Sequence, residues 1–199
     1  MNFSRKHLNE VKLIVDLIDD KIVEKIVDIL LLTRKKKGRV FFLGVGGSAG
    51  NCTHAVNDFR KIIGLECYAP TDNVSELTAR VNDEGWESVF IEWLKISRLK
   101  KNDILFVFSV GGGNLKKKIS VNIIKALNFA KKIGSNVVGI IGRKDGYTAK
   151  ISKACIIIPT VNKNSITPHT EAFHSVIWHL IVTHPKLKLN NTKWESISK

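Results

Sequence analysis

Apolar residues in this chain recur with two different periods, and the alternation between them lays out the architecture. From residue 4 to 37 they fall at helical spacing, through Val11, Ile14, Ile18, Ile22, Ile26 and Ile29, with Leu17, Val23, Val27, Leu30 and Leu31 widening the stripe. One long helix or two shorter ones would carry an apolar face broad enough to need more than one neighbour. Because this segment precedes the first strand, it is expected to lie outside the sheet and to pack on another copy of the chain. Residues 40–43 form an apolar run too short for a helix, and Gly44, Gly46 and Gly47 break it. A helical period then opens at Ser48 and continues through Cys52, Ala55, Val56 and Phe59.

Further short apolar runs predict strands at 65–68, 104–108, 136–141 and 155–158. Helices are expected at 76–81, with Ser75 as the N-cap, and at 86–97, 121–133, 148–153 and 171–183; Asn82, Asp83, Glu84 and Gly85 break the chain after the first of these. Strands alternating with helices at this rhythm predict an α/β, doubly wound sandwich of about five parallel strands flanked by helices. The division expected is a helical arm over 1–37, one domain over 38–189 and a tail over 190–199 that carries no clear signal.

Two of the strands end in glycine-rich loops, GVGGS at 44–48 and SVGGGN at 109–114. At the start of a helix the first amides lack intrahelical partners and share the positive end of the helix dipole, which makes such a turn an anion site, most often for phosphate. The bland alternative is a glycine turn that only lets helix and sheet pack closely. Neither the dinucleotide fingerprint nor the Walker loop is matched, which argues against a nucleotide cofactor. In an open parallel sheet ligands sit beyond the carboxyl ends of the strands, so two such loops can converge on one phosphate.

Composition narrows the partners. The 199 residues are 44% hydrophobic and 25% charged, and no stretch approaches the length of a membrane span. The opening MNFSRKHLNE has no apolar run after its positive charge, so a cytoplasmic protein is expected. Cys52, Cys67 and Cys155 lie in apolar or helical patterns, as reduced and buried thiols do. The net charge of +14 is spread over clusters at 34–37, 98–101 and 116–118, at the ends of predicted elements and without interleaved aromatics. That distribution suits solvated caps and steering of a small anion, and argues against a nucleic-acid surface.

GVGGS, SVGGGN, the NDEG at 82–85 and the closing TPHTEAF and VIWHL together resemble the sugar isomerase (SIS) domain family, and within it the sedoheptulose 7-phosphate isomerases of heptose synthesis for surface polysaccharide. The likeness runs from about residue 38 to 185. It implies a SIS-type fold and a cytoplasmic homotetramer that binds a sugar phosphate and interconverts ketose and aldose through an enediol. It further implies a substrate and phosphate site built from Gly46, Gly47, Ser48, Ser109, Gly111, Gly112, Gly113 and Asn114, with Asn82 and Asp83 beside it. Against the family pattern Val45 replaces an asparagine, and Gly111 and Asn114 replace hydroxyl-bearing residues; backbone amides of the glycine run can stand in for the lost hydroxyls.

The resemblance also assigns chemistry. His54 and Asp58 match a histidine and glutamate that bind zinc or act on substrate, His179 matches an acid-base and zinc-binding histidine, and Glu171 stands where the family has glutamine. His54, Asp58, Glu171 and His179 are thus the candidate Zn2+ ligands, and Asp58, Glu171 and His179 the candidate catalytic groups. The four-residue step puts His54 and Asp58 on one helical face. Eight residues of straight helix rise about 12 Å, so Glu171 is expected either at a frayed helix start or in a site of a different subunit from that of His179. His174 is a rival on the face of Glu171, and His169 is expected near the mouth, each with a structural role as the alternative. Either Asp58 or Glu171 can be the base, and the longer Glu171 side chain favours it. The competing functional reading is a SIS domain that binds a sugar phosphate or a partner protein as a regulator, without catalysis.

Overall fold

The structure, a computed structural model, describes residues 1–197. Five strands form one parallel sheet: β1 (Val40–Leu43), β2 (Cys67–Tyr68), β3 (Ile104–Ser109), β4 (Asn136–Ile141) and β5 (Ala154–Ile157), in the order β2-β1-β3-β4-β5. Helices α1 (Phe3–Leu17) and α2 (Asp20–Lys35) precede β1, and α3 (Gly47–Ile63) follows it. After β2 come a 3-10 turn, α4 (Val74–Glu84) and α5 (Val89–Ile96); α6 (Val121–Ile133) and α7 (Tyr147–Ile151) connect the later strands, and α8 (Ile166–Thr183) and α9 (Lys193–Ile197) close the chain.

The period of two in the strands sorts side chains to two cores. Val40, Phe42, Ile104, Phe106 and Phe108 point to one face, under α2, α3 and α8. There Phe42 meets Phe59, Phe106 and Phe108 with ring centroids 4.9, 5.2 and 5.5 Å apart. Phe41, Leu43, Leu105 and Val107 point to the other face, under α5 and α6. The thiols are free; burial pushes those of Cys52 and Cys67 well up, and that of half-buried Cys155 to about 12, so all three are protonated at neutral pH.

Several local expectations change. The N-terminal stripe takes the expected form of two shorter helices, but α2 does not lie outside the sheet: Val23, Ile26, Val27 and Leu30 are buried, and the helix packs on β5 and α8. Its wide apolar face serves the chain's own core, whereas α1 buries Ile14 alone. Asn73, not Ser75, caps α4, its side chain accepting the Glu76 amide at 3.2 Å, and the helix runs through Asn82 and Asp83 to Glu84. α8 starts five residues before the expected Glu171, because Pro168 falls in its first turn, where no intrahelical N–H is required. In the expected tail, residues 193–197 are helical, while 198–199 lie outside the described residues.

The strand order positions the site. From β1 the chain moves outward to β2, then returns to the other side of β1 for β3, β4 and β5. The crevice between β1 and β3 is therefore the switch point at which open α/β sheets bind ligands. Leu43 pairs with Val107, so the loops after β1 and β3 leave side by side.

Candidate active site

The first loop is open at its helix start. Gly46 sits at φ +62, where a side chain would be strained, and caps α3 without a side-chain bond. Its carbonyl accepts the amides of Ala49 and Gly50 at 2.9 and 3.2 Å, leaving those of Gly47 and Ser48 without an intrahelical partner. The Glu171 carboxylate lies against Gly47, so closely that a Cβ there would overlap it. Asn51 fixes this arrangement: its amide donates to the carbonyls of Gly47 and Glu171 at 3.2 and 3.1 Å, and its oxygen accepts the Ser175 hydroxyl at 2.6 Å.

α3 and α8 thus run side by side in the same direction, Gly47 by Glu171 and Asn51 by Ser175, and their next turns bring three ligating groups together. Asp58 lies 3.9 Å from His54 Nε2 and 3.8 Å from His179 Nε2, and the ligating atoms of all three lie within 4.8 Å of one another. The Ser175 carbonyl can only accept, so the His179 Nδ1 2.8 Å away carries the proton and Nε2 faces Asp58. Trp178 walls the group, stacked on His179 at a centroid distance of 3.5 Å and edge-on to His54 at 4.6 Å. Two imidazoles and a carboxylate make a ligand set suited to zinc with a position left open.

Glu171 is not a member of that cluster. Because α8 is continuous from Ile166, Glu171 is no frayed helix start; within one chain its carboxylate lies at the glycine turn while His179 stands in the cluster eight residues on, roughly two helical turns away. The other two histidines of α8 also separate from the site. His174 is fully buried, stacks on Phe108 and bonds the Ile140 carbonyl at 3.0 Å; burial lowers its pKa to about 4, against the raising effect of that bond, so it is a neutral structural group. His169 does not line the mouth but faces Glu10 of α1, 2.8 Å away.

The second loop is tied down. The Ser109 hydroxyl oxygen accepts the Gly112 amide at 3.0 Å, which leaves its proton free to donate. Gly112 and Gly113 lie at φ +67 and +82. The Gly112 carbonyl takes both the amide and the hydroxyl of Thr148, at 2.8 and 2.9 Å, and the Gly113 carbonyl takes the Tyr147 amide at 2.8 Å. Asn114 pairs with Ile119 across a small hairpin, and its side-chain oxygen accepts the Lys117 amide at 3.0 Å. The Gly112 amide is therefore committed within the loop; the Asn114 oxygen is an acceptor, and the group of that side chain able to meet an anion is its Nδ2.

Asn82 and Asp83 lie exposed near the end of α4, hydrogen-bonded to each other at 2.7 Å, on a helix that packs against α5 and the 3-10 turn. Sequence reasoning missed Lys117 and Arg143, which line a cleft of about 180 Å³ with Gly111, Gly113 and Asn114. The run of lysines directly after the second loop was the available signal, read instead as solvated charge. A larger cleft of about 580 Å³ between the ends of β4 and β5 is lined by Arg143, Lys144 and Pro159 among others but holds no histidine, so its size does not carry the chemistry.

A model of the SIS domain matches residues 7–142, ending before α8. The chain is 30% identical over 164 residues to the phosphoheptose isomerase of Helicobacter hepaticus (strain ATCC 51449 / 3B1), covering 80% of this chain and 78% of that relative. It is also 30% identical over 149 residues to the phosphoheptose isomerase of Rhodospirillum rubrum, covering 72% and 73%. The structure of phosphoheptose isomerase from Neisseria gonorrhoeae shares the fold, with a TM-score of 0.78 at 22% identity over 90% of this chain and 95% of that one.

Proposed function

The chain belongs to the SIS domain family, and from that premise we propose that it is an aldose-ketose isomerase acting on a sugar phosphate, sedoheptulose 7-phosphate in heptose synthesis for surface polysaccharide. The relatives named phosphoheptose isomerase support the reaction class. One observation carries the reading: the Glu171 carboxylate rests on the glycine turn at the β1/β3 switch point, where the free helix amides would hold a phosphate and a base must stand beside the substrate carbon.

The phosphate is held by the amides of Gly47 and Ser48 and by the Ser109 hydroxyl, with Lys117 and Arg143 adding charge at the edge. Glu171 takes the proton from the carbon next to the carbonyl. The released electron pair forms the enediol double bond as the carbonyl oxygen gains a proton; Glu171 then returns its proton to the former carbonyl carbon as the neighbouring hydroxyl gives up its own and becomes the new carbonyl, so no oxidant is needed. With Nδ1 tied to Ser175, His179 offers only Nε2, which takes up a proton from a substrate oxygen and hands it back when no metal occupies that nitrogen. His54, Asp58 and His179 would hold Zn2+, which supplies Lewis-acid polarisation of a carbonyl oxygen when bound.

A homotetramer is part of the proposal. α1 leaves Leu8, Leu13, Val15 and Leu17 about half exposed and α4 leaves Val74 and Val81 exposed, so each helix carries apolar residues without a partner in this chain. Among the described residues no helix is long and apolar enough to cross a membrane; the cytoplasm is the proposed location. The test is product analysis by NMR on a panel of ketose phosphates of five, six and seven carbons. The expected result is an aldose phosphate formed fastest from sedoheptulose 7-phosphate; binding of the panel without any aldose would leave a sugar-phosphate-binding regulator as the better reading.

A further inference from the structure

α1 is joined to the rest of the chain through an apolar contact at Ile14 and a polar one nearer its start. At the latter, His169 is 3% exposed and places Nε2 2.8 Å from one Glu10 oxygen. The other Glu10 oxygen accepts the Asn162 amide at 2.8 Å. His7, one turn before Glu10 and on the same face of α1, stacks its ring on that of His169 with centroids 4.5 Å apart. The ligating atoms of His7, Glu10 and His169 lie within 4.8 Å of one another, and the second nitrogen of His169, Nδ1, is buried with no partner.

A divalent cation suits this group well, since it takes a nitrogen from each ring and one carboxylate oxygen, as zinc-class sites do. Tetrahedral ligands at about 2.0–2.1 Å stand roughly 3.3 Å apart, so a small closure of the three side chains completes the geometry. Of the two His169 nitrogens, Nε2 already faces the Glu10 carboxylate and Nδ1 has no bond to give up. Asn162 already orients the carboxylate from outside, as outer-shell partners of metal ligands do. A cleft of about 720 Å³ bordered by Phe3, His7, Asn162 and Pro168 opens beside the group and leaves room for water at a fourth position.

We propose that His7, Glu10 and His169 form a site for a divalent transition metal of the zinc class that staples α1 to the start of α8, distinct from the group of His54, Asp58 and His179. The site acts on the placement of α1 and contributes nothing to proton transfer at the substrate.

Co2+ titration followed by visible absorption tests this in the full-length chain carrying His54→Ala and His179→Ala. Both of those side chains are about half exposed, so the fold tolerates their loss, and the other metal group is removed. The expected result is one tightly bound equivalent with the intense absorption of a four-coordinate site. Adding His7→Ala, at a partly exposed position that leaves the core intact, should abolish it, and adding Glu10→Gln, which still accepts from Asn162, should weaken it by at least about tenfold. No bound Co2+ in the parent double variant, or unchanged affinity on adding either His7→Ala or Glu10→Gln, would overturn the proposal.

Discussion

The loop after β1 leaves the amides of Gly47 and Ser48 outside the helix bonding and carries an acidic side chain against its glycine, whereas the loop after β3 uses its amides and carbonyls on itself and on α7. Adjacent strands thus end in two glycine loops of similar composition and opposite construction. In the first, glycine makes room for a carboxylate side chain; in the second, it lets backbone pack on backbone. Glycine content alone does not distinguish an anion cradle from a rigid frame. The difference lies in where the hydrogen bonds go.

If the first loop is the reactive one, Glu171→Gln should lower kcat by about a hundred to ten thousand fold with little change in sugar-phosphate affinity, because it removes a group needed mainly in the transition state. Asp58→Asn should be weakened far less. Equal losses in the two variants would move the base away from the glycine turn.

The floor of the second loop offers a pH test. His174 is neutral in the folded chain because burial lowers its pKa from 6.5 to about 4. The unfolded chain binds the extra proton between those values, so the stability this group contributes is full above pH 6.5 and falls as the pH drops towards 4. The loss amounts to about 3 kcal/mol. Urea unfolding should show that part of the acid sensitivity absent from His174→Gln.

A matched pair of glycine substitutions separates the loops directly. On Gly47 a Cβ meets the flexible end of Glu171, so Gly47→Ala should displace the carboxylate and cost about a hundredfold in turnover with the urea midpoint unchanged. On Gly146 a Cβ meets the backbone oxygen of Gly111, which cannot swing away, so Gly146→Ala should cost about 1–3 kcal/mol of stability. The smallest effect is expected at the edge: Lys117→Ala should raise KM by a factor of about five or less, and less still at high salt, as for an exposed charge.

Much of this was legible from the chain. The bounds 121–133 and 136–141 were read as the structure has them, because each is an uninterrupted pattern stopped by glycine or a polar residue. The two glycine loops were also named from the sequence, and the family likeness, not spacing, gave His54, Asp58, Glu171 and His179 as candidate ligands, of which the structure brings the two histidines and Asp58 together without Glu171. What could not be read was register between distant helices. That Glu171 lies on Gly47, and that His169 turns to Glu10, depends on how α8 slides along α3 and α1, and no local pattern encodes a contact across 120 or more residues. Nor did the breadth of the α2 stripe say whether its neighbour was another subunit or the chain's own sheet.

The most direct test of Glu171 as the base at the first loop is hydrogen exchange in heavy water, followed by NMR on sedoheptulose 7-phosphate. The wild-type chain should place deuterium on the carbon next to the carbonyl, Asp58→Asn should do so more slowly, and Glu171→Gln should show none above the uncatalysed rate. Exchange by Glu171→Gln at the wild-type rate, or its absence from the wild-type chain, would contradict the account.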